Sequence, residues 1–183
     1  MTKKIIFISN YASFFVSHRL PIALEAKKRG WEVFLFHGSS NNKNEFKNID
    51  ILHKNKILTK KFYFTRSGIN LFNEIFGFLQ LIIHVRRVKP DIIHCISLKG
   101  ILYGGLTAKL LSIKSLVLAV SGMGYFFTGK KNITKSSFQL FFHLILKYIL
   151  THNNKCVITQ NQIDRDFFLG KYDLEEKNID LIK

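Results

Sequence analysis

Lys3-Lys4-Ile5-Ile6-Phe7-Ile8-Ser9 opens the chain with apolar residues that do not alternate with polar ones. A strand apolar at consecutive positions is buried on both faces, which is the condition of a parallel sheet covered by helices on both sides. The next elements agree with such a sheet. Ser17 to Arg29 reads as a helix, with Pro21 in its first turn, where a missing N–H costs least, and Gly30 as its stop. Trp31 to His37 is a second apolar strand. One strand, one helix and one strand make a crossover unit, and right-handed crossovers repeated along a chain give a Rossmann-like sheet.

The pattern continues outward. Asn41 to Asn48 reads as a polar loop, Ile49 to Asn55 as a weaker third strand, and Lys56 to Ser67 as a basic, aromatic segment with room for a short strand. Asn70 to Val88 is a long helix whose polar residues Asn70, Asn73, Glu74, Gln80, His84 and Arg87 recur in one stripe, and Pro90 stops it. Strands are expected at Asp91 to Ile96, Ser115 to Val120, Lys155 to Thr159 and Ile179 to Ile182. Helices are expected at Gly100 to Leu111, Thr134 to Thr151 and Asn161 to Leu169. The expected fold class is α/β, a parallel sheet with helices on both faces, forming one domain over residues 1–183.

The chain has 183 residues, 28 Lys and Arg against 12 Asp and Glu, and a net charge of +16. An apolar share of 47% excludes a disordered chain. The charge calls for an anionic partner: a nucleic acid, a membrane leaflet or a phosphorylated ligand. An AT-rich coding bias toward Lys, Ile, Asn and Phe is the bland reading of the same counts. The 18 Phe sit mostly inside apolar segments rather than among basic residues, so no nucleic acid is expected as partner. Cys95 and Cys156 lie in apolar stretches and read as free thiols in a reducing compartment. Only four apolar residues come after Met-Thr-Lys-Lys, too few for the core of a signal peptide, so the expected location is cytoplasmic.

Open sheets of this kind bind ligands beyond the C-terminal strand ends, where the strand order reverses. The relevant loops are Asn10 to Ser17, Ser97 to Gly100 and Ser121 to Gly129. Gly124-Tyr-Phe-Phe-Thr-Gly129-Lys130-Lys131 approaches a phosphate loop but ends on Lys131 where a hydroxyl must hold Mg²⁺, so nucleotide hydrolysis is set aside. Neither His nor Cys shows metal spacing, and no metal or cofactor is expected. His18 stands where the first helix begins. It is either a hydrogen-bond donor to a ligand or a helix-start histidine packed on the loop. His94 reads as a satisfied core histidine. Lys99 comes just after the fourth strand, where contact with a phosphate or carboxylate stands against a solvated lysine. The helix from Thr134 to Thr151 has only a narrow polar stripe. Lys130, Lys131 and Lys135 beside it, with Phe141 and Phe142 on it, suggest contact with an anionic membrane.

Three segments carry a family resemblance. They are Ile8-Ser-Asn-Tyr-Ala-Ser-Phe-Phe-Val-Ser-His-Arg-Leu-Pro-Ile-Ala, Pro90-Asp-Ile-Ile-His-Cys-Ile-Ser-Leu-Lys-Gly-Ile-Leu-Tyr-Gly-Gly, and Ala119-Val-Ser-Gly-Met-Gly-Tyr-Phe-Phe-Thr. The chain resembles the N-terminal domain of family-4 retaining glycosyltransferases, which have the two-domain GT-B architecture. The resemblance implies transfer of a hexosyl group from a nucleotide sugar to a polyprenyl-linked or polysaccharide acceptor in cell-surface glycan synthesis, at the inner face of the plasma membrane. It implies acceptor contacts at Asn10, Lys99, Tyr103, Gly122 and Gly124, with His18 as the catalytic candidate. Many relatives carry His where Ser121 or Gly122 stands here, which leaves the third loop without an evident catalytic group. The family's nucleotide-binding half does not match any part of the chain, so a donor-domain subunit in trans is an expected partner and the chain alone is expected to be inactive. The competing expectation is a non-enzymatic, basic module that binds a membrane or a partner on the same scaffold.

Overall fold

The structure is a computed structural model and describes residues 2–39, 45–65, 71–120 and 133–182. The elements are β1 (Lys4–Ser9), α1 (Ala12–His18), α2 (Leu20–Lys28), β2 (Glu32–Ser39), α3 (Glu45–Lys54), β3 (Leu58–Thr65), α4 (Leu71–Val88), β4 (Ile92–Ile96) and α5 (Leu98–Leu110). They continue with β5 (Ser115–Val120), α6 (Ile133–Ile149), β6 (Lys155–Thr159), α7 (Gln162–Tyr172), a 3₁₀ turn (Glu176–Asn178) and β7 (Ile179–Leu181). The sheet order is β3-β2-β1-β4-β5-β6-β7, and every pairing is parallel. The expected α/β sheet is therefore present, and its order reverses between β1 and β4.

Side-chain alternation along β1 divides the layers. Ile5 and Phe7 pack with Ala12, Phe15, Ala23 and Leu52, so α1, α2 and α3 cover one face. Ile6 and Ile8 pack with Leu81, Ile101, Phe142 and Phe168, so α4, α5, α6 and α7 cover the other. Both faces of the central strand lose their water, which is why its apolar residues run without alternation. Cys95 is buried and Cys156 half-buried, both as free thiols.

Two expected elements are corrected. Residues 49–55 are not a strand but part of α3, and the third strand is β3. Ile49 and Leu52 are three residues apart and meet the same core, which is helical spacing; the run is too short for periodicity to separate from a strand. The first helix is two. α1 starts earlier, at Ala12, and the chain breaks at Arg19 (φ −131°) before α2. In one continuous helix the ring of Pro21 would collide with the carbonyl four residues back, at Ser17.

Candidate functional site

β1 and β4 pair up to Ile8 and Cys95, so Asn10 and Ser97 leave neighbouring strand ends at the point where the order reverses. Helix α5 starts directly after Ser97 and sits hard on β1. A Cβ on Gly100 would lie 2.7 Å from the Ile8 carbonyl oxygen, so only glycine lets the helix start approach this closely. Ser97 has φ 72° and ψ 162°. This region is nearly exclusive to glycine and costs a residue with a side chain roughly 1–3 kcal/mol.

Five buried side-chain atoms among the described residues have no hydrogen-bond partner: Asn10 Oδ1, Arg19 Nε, His94 Nε2, Ser97 Oγ and Thr107 Oγ1. Thr107 lies in the last turns of α5. Asn10 and Ser97 follow the C-terminal ends of β1 and β4, and His94 lies in the middle of β4. Arg19 sits at the break between α1 and α2, and its Nη1 donates to the His18 carbonyl at 3.1 Å. Its charge acts on His94, which lies in β4 with its ring 5.0 Å from that of Phe7. Burial first, and Arg19 second, hold the His94 pKa down at about 3, so the imidazole is neutral. The expectation of a satisfied core histidine is thus half right: His94 is buried, but its Nε2 is unpaired. Arg19 and Ser97 were missed from sequence. The Arg19-Leu20-Pro21 order marks the helix break, whereas no local pattern marks the Ser97 backbone.

The residues singled out from sequence divide. Asn10 stands just after β1 with its side-chain oxygen buried and unpaired. His18 is exposed, stacks on Phe14 at 4.4 Å between ring centres, and has Nδ1 2.6 Å from Ser17 Oγ. Lys99 is not an unpaired cation. Its Nζ lies 2.7 Å from Oε1 of Glu74, a carboxylate only 8% exposed, and Tyr103 donates its hydroxyl to Oε2 of the same group. Burial and the Glu74 carboxylate push the Tyr103 pKa up. His18 and Lys99 thus stem from opposite layers and do not meet, which corrects the expectation of one cleft between them. The Lys99–Glu74–Tyr103 group instead forms the polar end of a pocket of about 290 Å³ between α4, α5 and α6, whose walls include Ile75, Phe78, Leu102, Leu106 and Phe141.

The expected membrane helix also divides. Phe142, 1% exposed, is core with Leu146 and Ile149, because it points at the sheet; it is not a membrane contact. Phe141, 56% exposed, points away with Leu140, Leu144 and Tyr148. In the same layer α4 exposes Phe72, Phe76, Leu79 and Ile83, a surface that sequence reasoning missed. Gly122, Gly124, Lys130 and Lys131 lie outside the described residues; Lys135 lies in α6, and its side chain is outside the description. No helix among the described residues is long and apolar enough to cross a membrane.

Residues 4–161 match the family described as Glycosyl transferase 4-like, and the chain belongs to it. No curated protein is significantly similar in sequence. Among solved structures, a glycosyltransferase from Rickettsia africae superposes with TM-score 0.63 at 16% identity, over 100% of this chain and 43% of that one. MurG of Acinetobacter baumannii gives 0.60 at 14%, over 99% and 45%. A UDP-N-acetylglucosamine 2-epimerase gives 0.65 at 13%, over 99% and 48%. The chain therefore spans less than half the length of these neighbours and has the fold of a GT-B N-terminal half.

Proposed function

We propose that this chain is the acceptor-binding half of a retaining glycosyltransferase that moves a hexosyl group from a nucleotide sugar to a polyprenyl-linked or polysaccharide acceptor. The carrying observation is the adjacency of two unlike surfaces at the start of α5. Ser97 carries a buried, unpaired hydroxyl at the end of β4, and Lys99, two residues on, borders an apolar pocket. An acceptor with a polar head and a hydrocarbon tail matches both. The exposed apolar residues of α4 and α6, with a net charge of +16, fit an anionic leaflet at the cytoplasmic membrane face.

In this reading the nucleotide half, in the same protein or in trans, supplies the activated sugar. Asn10 and Ser97 orient the acceptor, Gly122 and Gly124 shape the loop near the transferred sugar, and His18 orients or relays a proton from an acceptor hydroxyl. The test is to combine the chain with a donor-binding half and to follow label from a panel of nucleotide sugars into polyprenyl diphosphate-linked acceptor. Transfer with retained anomeric configuration, lowered about 10²-fold by His18→Ala, is expected. Vesicle binding with no transfer to any acceptor would favour the second reading, a membrane- or partner-binding module, for which the apolar face of α4 speaks.

A further inference from the structure

Helix α5 sits deep on the sheet because its inner side is rich in glycine. Besides Gly100 against Ile8, a Cβ on Gly104 would lie 2.6 Å from Sγ of the buried Cys95. Its neighbours α4 and α6 turn full-sized side chains to the same core, Leu81 and Val85 from one and Phe142 and Leu146 from the other. They therefore stand higher than α5 and leave a trough along its outer side. The floor is Leu98, Leu102 and Leu106, spaced four apart on one stripe of α5 and only partly buried. A helix that covers a sheet normally turns polar residues outward, and these leucines break that rule. Ile75 and Phe78 of α4 form one bank, Phe141 and Ile145 of α6 the other. Lys99 and Tyr103, four apart on the next stripe of α5, close one end with Glu74. The carboxylate offsets the lysine, so this end is polar without net charge, and it lies toward the start of α5, where the strand order reverses. Ile75 and Phe141 are also exposed, so the pocket is continuous with the apolar surface of α4 and α6.

We propose that this trough seats one hydrocarbon chain, laid along the leucine floor of α5 with its polar head beside Lys99 and Tyr103. The volume of about 290 Å³ is near twice that of a cavity of about 150 Å³ that takes benzene, which gives room for on the order of ten carbons. Walls of Leu, Ile and Phe offer a sugar or a nucleotide base no hydrogen-bond partner, whereas a chain needs none. This deepens the acceptor reading and rests on it for the direction of the head. Such a chain has two sources, the polyprenyl tail of the acceptor and an acyl tail of a bilayer lipid, and the leucine floor meets the same chemistry in both.

The experiment follows the isoleucine methyl NMR signals of the 183-residue chain, those of Ile75 and Ile145 being assigned by their loss in Ile75→Val and Ile145→Val. The probes are uncharged, because a chain of net charge +16 attracts any anionic amphiphile. Butanol, hexanol, octanol, decanol, dodecanol and geraniol are titrated below their solubility limits. Both methyl signals are expected to shift saturably, with affinity rising about threefold to fourfold per methylene up to decanol and no further in dodecanol. Leu102→Trp, which fills the trough, is expected to weaken decanol binding about tenfold or more. Phe76→Ser, outside the lining, is expected to leave it unchanged. Geraniol binding tighter than decanol by about threefold or more identifies a prenyl chain as the occupant; decanol binding as tightly or tighter identifies a bilayer acyl chain. Unmoved Ile75 and Ile145 signals with every alcohol, or undiminished affinity in Leu102→Trp, overturn the seat, and the acceptor reading then stands or falls on the transfer assay alone. Saturable binding without transfer to any acceptor keeps the seat and overturns the acceptor reading. If Leu102→Trp does not fold, Leu106→Trp replaces it with the same expectation.

Discussion

Lys99 Nζ stands 2.7 Å from Glu74 Oε1, across the seam between α5 and α4. The pair makes the lysine part of the packing between two helices. Glu74→Ala leaves a largely buried ammonium without a counter-ion and the Tyr103 hydroxyl without its acceptor. The expected loss is about 2–3 kcal/mol in urea denaturation, and Glu74→Gln, which keeps an acceptor for Tyr103, is expected to lose less. Equal stability of Glu74→Ala and the parent chain would show that the pair is solvent-relaxed.

His94 gives a pH dependence whose sign is set by burial. Its folded pKa, about 3, is below the ordinary value near 6.5. Above the ordinary value both folded and unfolded states hold a neutral ring, and stability is unaffected. As pH falls from there toward about 3, the unfolded chain takes up a proton that the folded one refuses. Stability then declines by up to about 1.4 kcal/mol per pH unit from this group. Denaturation curves between these limits are expected to be flatter with pH in His94→Leu than in the parent chain.

Two glycines of helical segments are expected to respond oppositely to alanine. Gly100→Ala pushes a methyl to 2.7 Å from the Ile8 carbonyl, a backbone atom that cannot step aside. A cost of about 1–3 kcal/mol is expected. Gly170, in α7, has nothing within 4 Å of the added carbon, and alanine there is expected to stabilise by about 0.5–1 kcal/mol. Thermal unfolding of both variants checks the pair.

Adjacent phenylalanines of α6 separate packing from surface. Phe142→Ala removes a fully buried ring and is expected to cost about 3–5 kcal/mol. Phe141→Ser is expected to leave stability within about 0.5 kcal/mol while weakening sedimentation with anionic vesicles. Unchanged vesicle binding in Phe141→Ser, and in the matching Phe76→Ser of α4, would remove these faces from the membrane reading.

The architecture is legible in the order of residues alone. The unbroken apolar runs of β1 and β4, the helix signals at Pro21, Gly30 and Pro90, and the regular alternation of elements already specify a covered parallel sheet, because burial on both strand faces is written locally. The reversal of strand order, beyond which such sheets bind ligands, follows from the same order, and Asn10 stands at the end of β1 beside it. What each polar side chain meets is instead a matter of packing. Glu74 and Lys99 are 25 residues apart, and only the packing of α4 on α5 brings them together. Arg19 acts on His94 because the chain breaks between α1 and α2 close to β4, and Ser97 takes its rare backbone because α5 must start against Ile8. Likewise the step of one residue from Phe141 to the core-facing Phe142 is about 100° of helical turn. Which of the two faces the sheet depends on where the other helices lie, and that is a property of packing rather than of pattern.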